Sequence, residues 1–260
     1  MIEIRAVQKE FAKGERRVVA LEDIDLTVAE HEFVAILGPS GCGKSTLLNM
    51  VAGFDLPTRG SVKVAGEPIA APAPTRGVVF QEPALFPWLT VMDNVVFGPK
   101  TLGQSAADYR ARAAQIIEQV GLSGFEASYP AELSGGMRQR VGIARVLIME
   151  PKVLLMDERF GSLDAQTRTV MQELLLALWE RHHQTVLFIT HDIEEAVLLA
   201  DRVCVMTARP GRIKKSIDVR MPRPRRDTWR SAPEFARLKG EIWELLRGGQ
   251  RDAVVEGVVP

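Results

Sequence analysis

Long apolar runs are missing from this 260-residue chain. Its most apolar stretches, VLLM at 153–156 and VLFI at 186–189, have strand length, far short of the roughly 20 residues a membrane helix needs. Net charge is missing too. The 33 Lys and Arg balance 33 Asp and Glu, which leaves no broad basic field to draw in nucleic acid or anionic lipid. Cysteine is scarce, and Cys42 and Cys204 fit neither a disulfide framework nor a metal-ligand spacing. No His/Asp cluster has the spacing of a metal-dependent hydrolase. The start, MIEIRAVQKEF, lacks the basic and apolar regions of a secretory signal. Internal repeats and low-complexity tracts are absent as well. Together these absences predict a globular chain in a reducing cytoplasm.

Patterning along the chain predicts a mixed α/β organisation. Short β segments, MIEIRAV, VVALEDIDLTV and SVKVAG, fill the first third. Between them EFVAIL at 32–37 is apolar without a break from Phe33 on, which suits a strand of a parallel sheet covered on both faces. From about residue 90 to 150 the signals turn helical. SAADYRARAAQIIEQVGL opens on Ser105 and Asp108 as N-cap and N3, ends at Gly121, and places Ile116, Ile117 and Val120 on one face. Strand-like KVLLMDE and TVLFITH follow, each before a helix, and Pro210-Gly211 marks a hairpin. The basic PRPRRDTW reads as a solvated linker. A capping box at Ser231 and Glu234 then heads a helix with Phe235, Leu238, Ile242 and Leu245 along one stripe, placed to dock on the protein's own core.

Four motifs carry chemistry. GPSGCGKST, residues 38–46, lies between a predicted strand and a predicted helix and matches G-x-x-x-x-G-K-[ST]. In that pattern Gly38, Pro39, Ser40, Gly41, Cys42 and Gly43 form a turn whose backbone N–H groups cradle phosphates at a helix N-terminus. Lys44 reaches the β- and γ-phosphates, Ser45 supplies a hydroxyl to Mg²⁺, and Thr46 continues the helix. VLLMDE ends a buried strand in two carboxylates that point to opposite sides: Asp157 suits the Mg²⁺ shell, Glu158 a base or water-orienting role. ITHD places His191 at a strand end, where ligands of such sheets gather, within reach of a γ-phosphate or of Glu158. VVFQEP does the same for Gln81, which can ligate Mg²⁺, orient the attacking water, or simply bond to a loop. LSGGM, residues 133–137, is different: it offers backbone amides and a hydroxyl but no base, so it is built to hold an anion rather than transform one.

Over about residues 1–220 this set resembles the ATPase subunits of ATP-binding cassette transporters. GPSGCGKST is similar to their Walker A, VVFQE to the Q-loop, LSGGM to the signature, VLLMDE to Walker B, SLD at 162–164 to the D-loop and ITHD to the switch histidine, all in the family's order. The resemblance implies an α/β P-loop NTPase fold: a RecA-like parallel sheet core, an N-terminal antiparallel β subdomain and an inserted α-helical subdomain at about 88–150. Residues 221–260 would form an extended tail and an amphipathic helix packed on that core. It further implies that two copies sandwich two ATP molecules with Mg²⁺. Ser134, Gly135 and Gly136 of one copy would then hold the γ-phosphate bound by the other copy's Walker A. Glu158 would be the base, Asp164 would help form the dimer contact, and Phe11 would stack on adenine, although a core phenylalanine reads almost as easily. Two residues depart from the pattern: Met137 stands where glutamine is usual, and Arg159 where proline is. Cys42 inside the loop suggests that a bulky thiol reagent blocks activity and that ATP protects.

The segment EPALFPWLTVMDNVVFG and the tail resemble the importer branch that serves nitrate, sulfonates and taurine. That implies peripheral placement on the cytoplasmic face of the membrane and separate permease subunits received near Leu85, Phe86 and Trp88, unless these three pack inward. An extracytoplasmic solute-binding protein would act indirectly, and no nucleic acid is expected. Soluble cassette ATPases of DNA repair, chromosome organisation or translation form a competing class, but they usually carry two cassettes or long coiled coils. A cassette serving a membrane complex without transport is the third reading.

Overall fold

The structure, a computed structural model, describes residues 1–14, 16–157 and 164–255, with the side chains of residues 13, 16 and 248–255 left aside. In chain order these form β1 (Ile2–Lys13), β2 (Arg16–Val28), β3 (Phe33–Leu37), α1 (Lys44–Ala52), β4 (Arg59–Val64), β5 (Glu67–Pro68) and β6 (Arg76–Val79). Next come α2 (Val91–Thr101), α3 (Ala106–Gln119), α4 (Gly135–Leu147), β7 (Val153–Asp157) and α5 (Ala165–His182). The chain continues with β8 (Thr185–Thr190), α6 (Ile193–Leu199), β9 (Arg202–Met206), β10 (Ile213–Asp218) and α7 (Pro233–Val255). They divide into two compact units, Met1–Ala73 with His183–Pro260, and Pro74–His182.

The first unit holds two sheets. One has the order β2-β1-β4-β5, antiparallel throughout. In the other, β3 runs parallel to both β8 and β9, and β10 closes the edge antiparallel to β9 through the hairpin at Pro210-Gly211. All five residues of β3 and all six of β8 are buried, as a strand covered on both faces requires. Phe33 and Phe188 meet edge to face at 6.0 Å between them. Leu47, Leu48, Met50 and Val51 of α1 and the apolar residues 196–200 complete this core.

In α7, Phe235, Leu238 and Ile242 are buried, and the helix packs on α6 and β9. Two expectations for this region are corrected. Ser231 does not cap α7: its hydroxyl donates to the Thr228 carbonyl within a 3₁₀ turn, Asp227–Ser231, and Glu234 pairs with Arg237 instead. Pro233 at the first helical position starts the helix one residue later than a Ser231 cap would. The basic segment before it is not a solvated linker either. Arg225 is only 4% exposed, and its guanidinium donates to the carbonyls of Val197, Leu198, Ala200, Val219 and Met221. Arg223 adds bonds to Leu199 and Asp201. The orphan carbonyls at the C-terminal end of α6 thus find their donors in the tail.

The second unit pairs β6 with β7 in parallel and packs α2, α3 and α4 together. Thr90 and Ser105 cap α2 and α3 through the N–H groups of Asp93 and Asp108. Gly121, with φ of 69°, follows α3 in the left-handed conformation its C-terminus needs. Ile116, Ile117 and Val120 are buried, as the periodicity predicts.

Candidate functional site

In the first unit the chain leaves β3 at Leu37 and turns into α1 over residues 38–43. Gly41 and Gly43 have φ of 75° and 101°, which side-chain-bearing residues avoid. At Gly43 a Cβ would also stand 2.6 Å from Leu21. No side chain caps α1 and no acidic residue lies in its first turn, so its N-terminal N–H groups and partial positive charge are left for an anion. Lys44 is 8% exposed; its ammonium donates to the carbonyls of Gly38 and Pro39 at 2.8 and 2.9 Å, so it lies folded along the loop. The Ser40 and Ser45 side chains are exposed, and Pro39 and Thr46 are half-buried. Cys42 is buried, and its Sγ lies 3.8 Å from the Lys44 ammonium. Burial pushes this thiol up from the usual range, against the opposing pull of Lys44.

Parallel pairing brings a second motif to the same end of the strands. Leu37 sits opposite Thr190 in the register, so His191 follows β8 where Gly38 follows β3. The Thr190 hydroxyl donates to Glu195 at 2.8 Å and accepts from the Asp192 N–H. Asp192 caps α6 by accepting from the N–H groups of Glu194 and Glu195. His191 is left exposed between these fixed neighbours. Phe11 is 45% exposed with the Lys9 ammonium 5.0 Å over its ring, so the core reading of this side chain falls.

In the second unit Val79 pairs with Met156, which sets exposed Gln81 and half-buried Asp157 at one end of the β6–β7 pair. Glu158, Arg159, Ser162 and Leu163 lie outside the described residues. Ser134 caps α4 by accepting from the Met137 N–H at 3.3 Å, and its hydroxyl proton remains available. Gly135 is exposed, and a Cβ on Gly136 would meet Thr167 at 2.8 Å, which fixes how the start of α4 sits against α5. Asp164 caps α5 through the Thr167 N–H and hydroxyl, and the hydroxyl bond holds its carboxyl below the usual range.

The LFPW segment is partly inward and partly outward. Leu85 and Phe86 are half-buried, whereas Trp88 is 70% exposed and meets Phe86 in a tilted pair at 5.7 Å between ring centres. Phe86 in turn meets Phe97 at 4.4 Å, with the Arg145 guanidinium 5.3 Å over its ring. The sequence reading missed what holds this segment. Asn94 is fully buried; it accepts from the Phe86 N–H and donates toward the carbonyls of Phe86, Leu89 and Thr90. A polar residue at an apolar position of the VMDNVV face was its one signal.

A P-loop sheet with a phosphate loop, a strand-end histidine and a separate glycine-rich helix start without acidic residues has the features of a cassette-type ATPase. The chain belongs to the ABC transporter family, whose pattern matches residues 21–161. It is 45% identical over 257 residues to the nitrate import ATP-binding protein NrtD of Synechocystis sp., covering 96% of this chain and 97% of that one. To the aliphatic sulfonates import ATP-binding protein SsuB of Bacillus licheniformis it is 44% identical over 256 residues, 98% of each chain. Among solved structures it is similar to an ATP-binding cassette dimer in a post-hydrolysis state bound to ADP and Pi. That match has a TM-score of 0.74 and 33% identity, and covers 85% of this chain and all of the other. The α/β fold and the ATPase activity expected from the motifs are those of this family.

Proposed function

We propose that this chain is the ATP-hydrolysing subunit that powers an importer of a small anionic solute of the nitrate, sulfonate or taurine kind. ATP-driven dimerisation would couple hydrolysis to separate permease subunits at the cytoplasmic face of the membrane. The observation that carries the reading is a pair of helix starts. Among the described helices α2, α3, α6 and α7 all bear an acidic residue in the first turn, and α5 has Asp164 as its cap. Neither α1 nor α4 has an acid there. Each is a ready anion site worth roughly half a unit charge, one behind Walker A and one behind the signature. Two such sites per chain suit a triphosphate gripped by one copy and closed over by another.

In this reading Gly38 to Thr46 bind the phosphates, Phe11 packs on the adenine, and Ser134, Gly135 and Gly136 of the second copy meet the γ-phosphate. Asp164 supports the dimer contact. Ser45, Gln81 and Asp157 offer a hydroxyl, an amide and a carboxylate oxygen, the few hard donors that suit a phosphate-bound Mg²⁺. When bound, such an ion would supply positive charge against the charge that develops on the phosphoryl group. Glu158 takes the proton of the attacking water, and His191 holds the γ-phosphate and that water in line. Residues 1–220 form the cassette, with the helical subdomain at about 88–150 receiving a permease helix against Leu85, Phe86 and Trp88. An extracytoplasmic solute-binding protein selects the solute, which this subunit never touches.

The variant Glu158→Gln tests the catalytic part. With ATP it is expected to elute as a stable dimer and to lose hydrolysis by roughly 10²–10⁴-fold. A monomer that turns over ATP at the parent rate contradicts the assignment.

A further inference from the structure

The β9–β10 hairpin is fastened to the phosphate loop by contacts the family motifs do not include. The Gly41 carbonyl accepts from Arg209 twice, from Nε at 3.3 Å and from Nη2 at 3.0 Å. Two residues on, Gly211 lies so close that a Cβ would stand 2.0 Å from the Cys42 carbonyl oxygen. Met206, at the base of the hairpin, lies 3.0 Å from where a Cβ on Gly38 would be. The hairpin is itself anchored on β2. The Gly211 N–H donates to Ala20 at 2.9 Å, its carbonyl accepts from the Glu22 N–H at 3.0 Å, and Arg212 pairs with Glu22 at 2.7 Å. The hydrogen-bond anchor at one end is a strand and at the other the backbone of Gly41, so the arginine joins two fixed points.

Peptide planarity gives this a consequence. Cis bonds among the described residues precede only Pro210 and Pro224, so the Gly41–Cys42 peptide is trans. In a trans peptide the N–H points opposite to the C=O. With the Gly41 oxygen tied outward to a guanidinium, the Cys42 N–H is turned to the inner side of the loop. There it makes only a long 3.4 Å bond to the Pro39 carbonyl, the same oxygen that accepts from Lys44 at 2.9 Å. A bond that long is exchanged readily for one to a phosphate oxygen. The cation on the carbonyl also polarises the amide and strengthens its N–H as a donor.

We propose that Arg209 is a positioning residue of the phosphate loop, holding the Gly41–Cys42 peptide with its N–H aimed at the nucleotide phosphates. This rests on the nucleotide-binding reading given above. Arg209 is exposed, and among the described residues its guanidinium donates to the loop backbone at Gly41 rather than to a side chain assigned to catalysis. Its loss therefore raises KM and the nucleotide dissociation constant together and leaves kcat unchanged.

Binding of a fluorescent ADP analogue to the full chain tests it, alongside steady-state ATPase rates and the thermal midpoint without nucleotide. The parent, K44A, R209A, R209Q and R209K are compared. R209A is expected to bind roughly 3–10-fold more weakly, the equivalent of about one ordinary hydrogen bond, with kcat within about 2-fold and the midpoint unmoved. R209K, which keeps the charge and one donor, recovers part of the affinity. If the parent binds, K44A does not, and R209A matches the parent, the Arg209 proposal is overturned while nucleotide binding stands. A parent that fails to bind, or a K44A that binds like the parent, overturns both. Should R209A lower the midpoint, R209K and R209Q decide: better binding by R209K supports the proposal, and equal affinities overturn it.

Discussion

At Cys42 a residue that looks like a reactive handle in the sequence becomes a packed one in the fold. Its thiol is 1% exposed, sits between the Lys44 ammonium and the Gly38 backbone, and is raised by burial more than Lys44 lowers it. A thiol whose folded pKa is raised stays protonated through neutral pH. Its contribution to stability is complete below the unfolded thiol range and is lost as pH rises through the folded value. Cys204 is buried and raised in the same sense. Peptide mapping after treatment with an aromatic disulfide at neutral pH should therefore show both cysteines reacting roughly ten-fold or more slowly than a free thiol. In urea both should react at once. Fast labelling of Cys42 in the folded protein at neutral pH contradicts this placement. The motif residues themselves were legible because each sits in a short local pattern. Arg209 was not, because its partner Gly41 is 168 residues away and nothing local in ARPGR names it.

Among the elements, strands and helices with strong periodicity were the legible ones. EFVAIL and TVLFIT read as buried strands because their apolar runs, 33–37 and 186–189, are unbroken, and Ser105 with Asp108 marked the start of α3 correctly. The tail was not legible. Arginine in an extended stretch reads as solvated, and only the three-dimensional position of α6 shows that its terminal carbonyls need donors. At seven residues α6 is too short to hold itself. The tail grips it at both ends, with Arg223 and Arg225 on its last carbonyls and Arg230 and Lys239 on Glu194 near its start. Arg225 works there against its own burial, which pushes its pKa down to about 10. Replacing it with alanine leaves several buried carbonyls without donors. The expected cost is about 3 kcal/mol, or roughly 5–10 °C in Tm for a chain of this size. Calorimetry of Arg225→Ala checks it. A midpoint equal to the parent's would return the tail to the status of a solvated linker.

At the scale of the whole molecule, a formal net charge of zero and a cassette ATPase fold go with near full-length similarity to import ATP-binding proteins. No helix among the described residues is long and apolar enough to cross a membrane. In the importer reading proposed above the pore belongs to separate permease subunits, and exposed Trp88, tilted against Phe86, is the surface proposed to meet them. The most direct measurement is a tagged pull-down from gently solubilised source membranes, followed by mass spectrometry. A polytopic membrane subunit is expected in near-equal amount, with an extracytoplasmic solute-binding protein as its companion. A protein recovered away from the membrane with only ribosomal or nucleic-acid partners would contradict the importer reading and leave ATP hydrolysis in service of a soluble process.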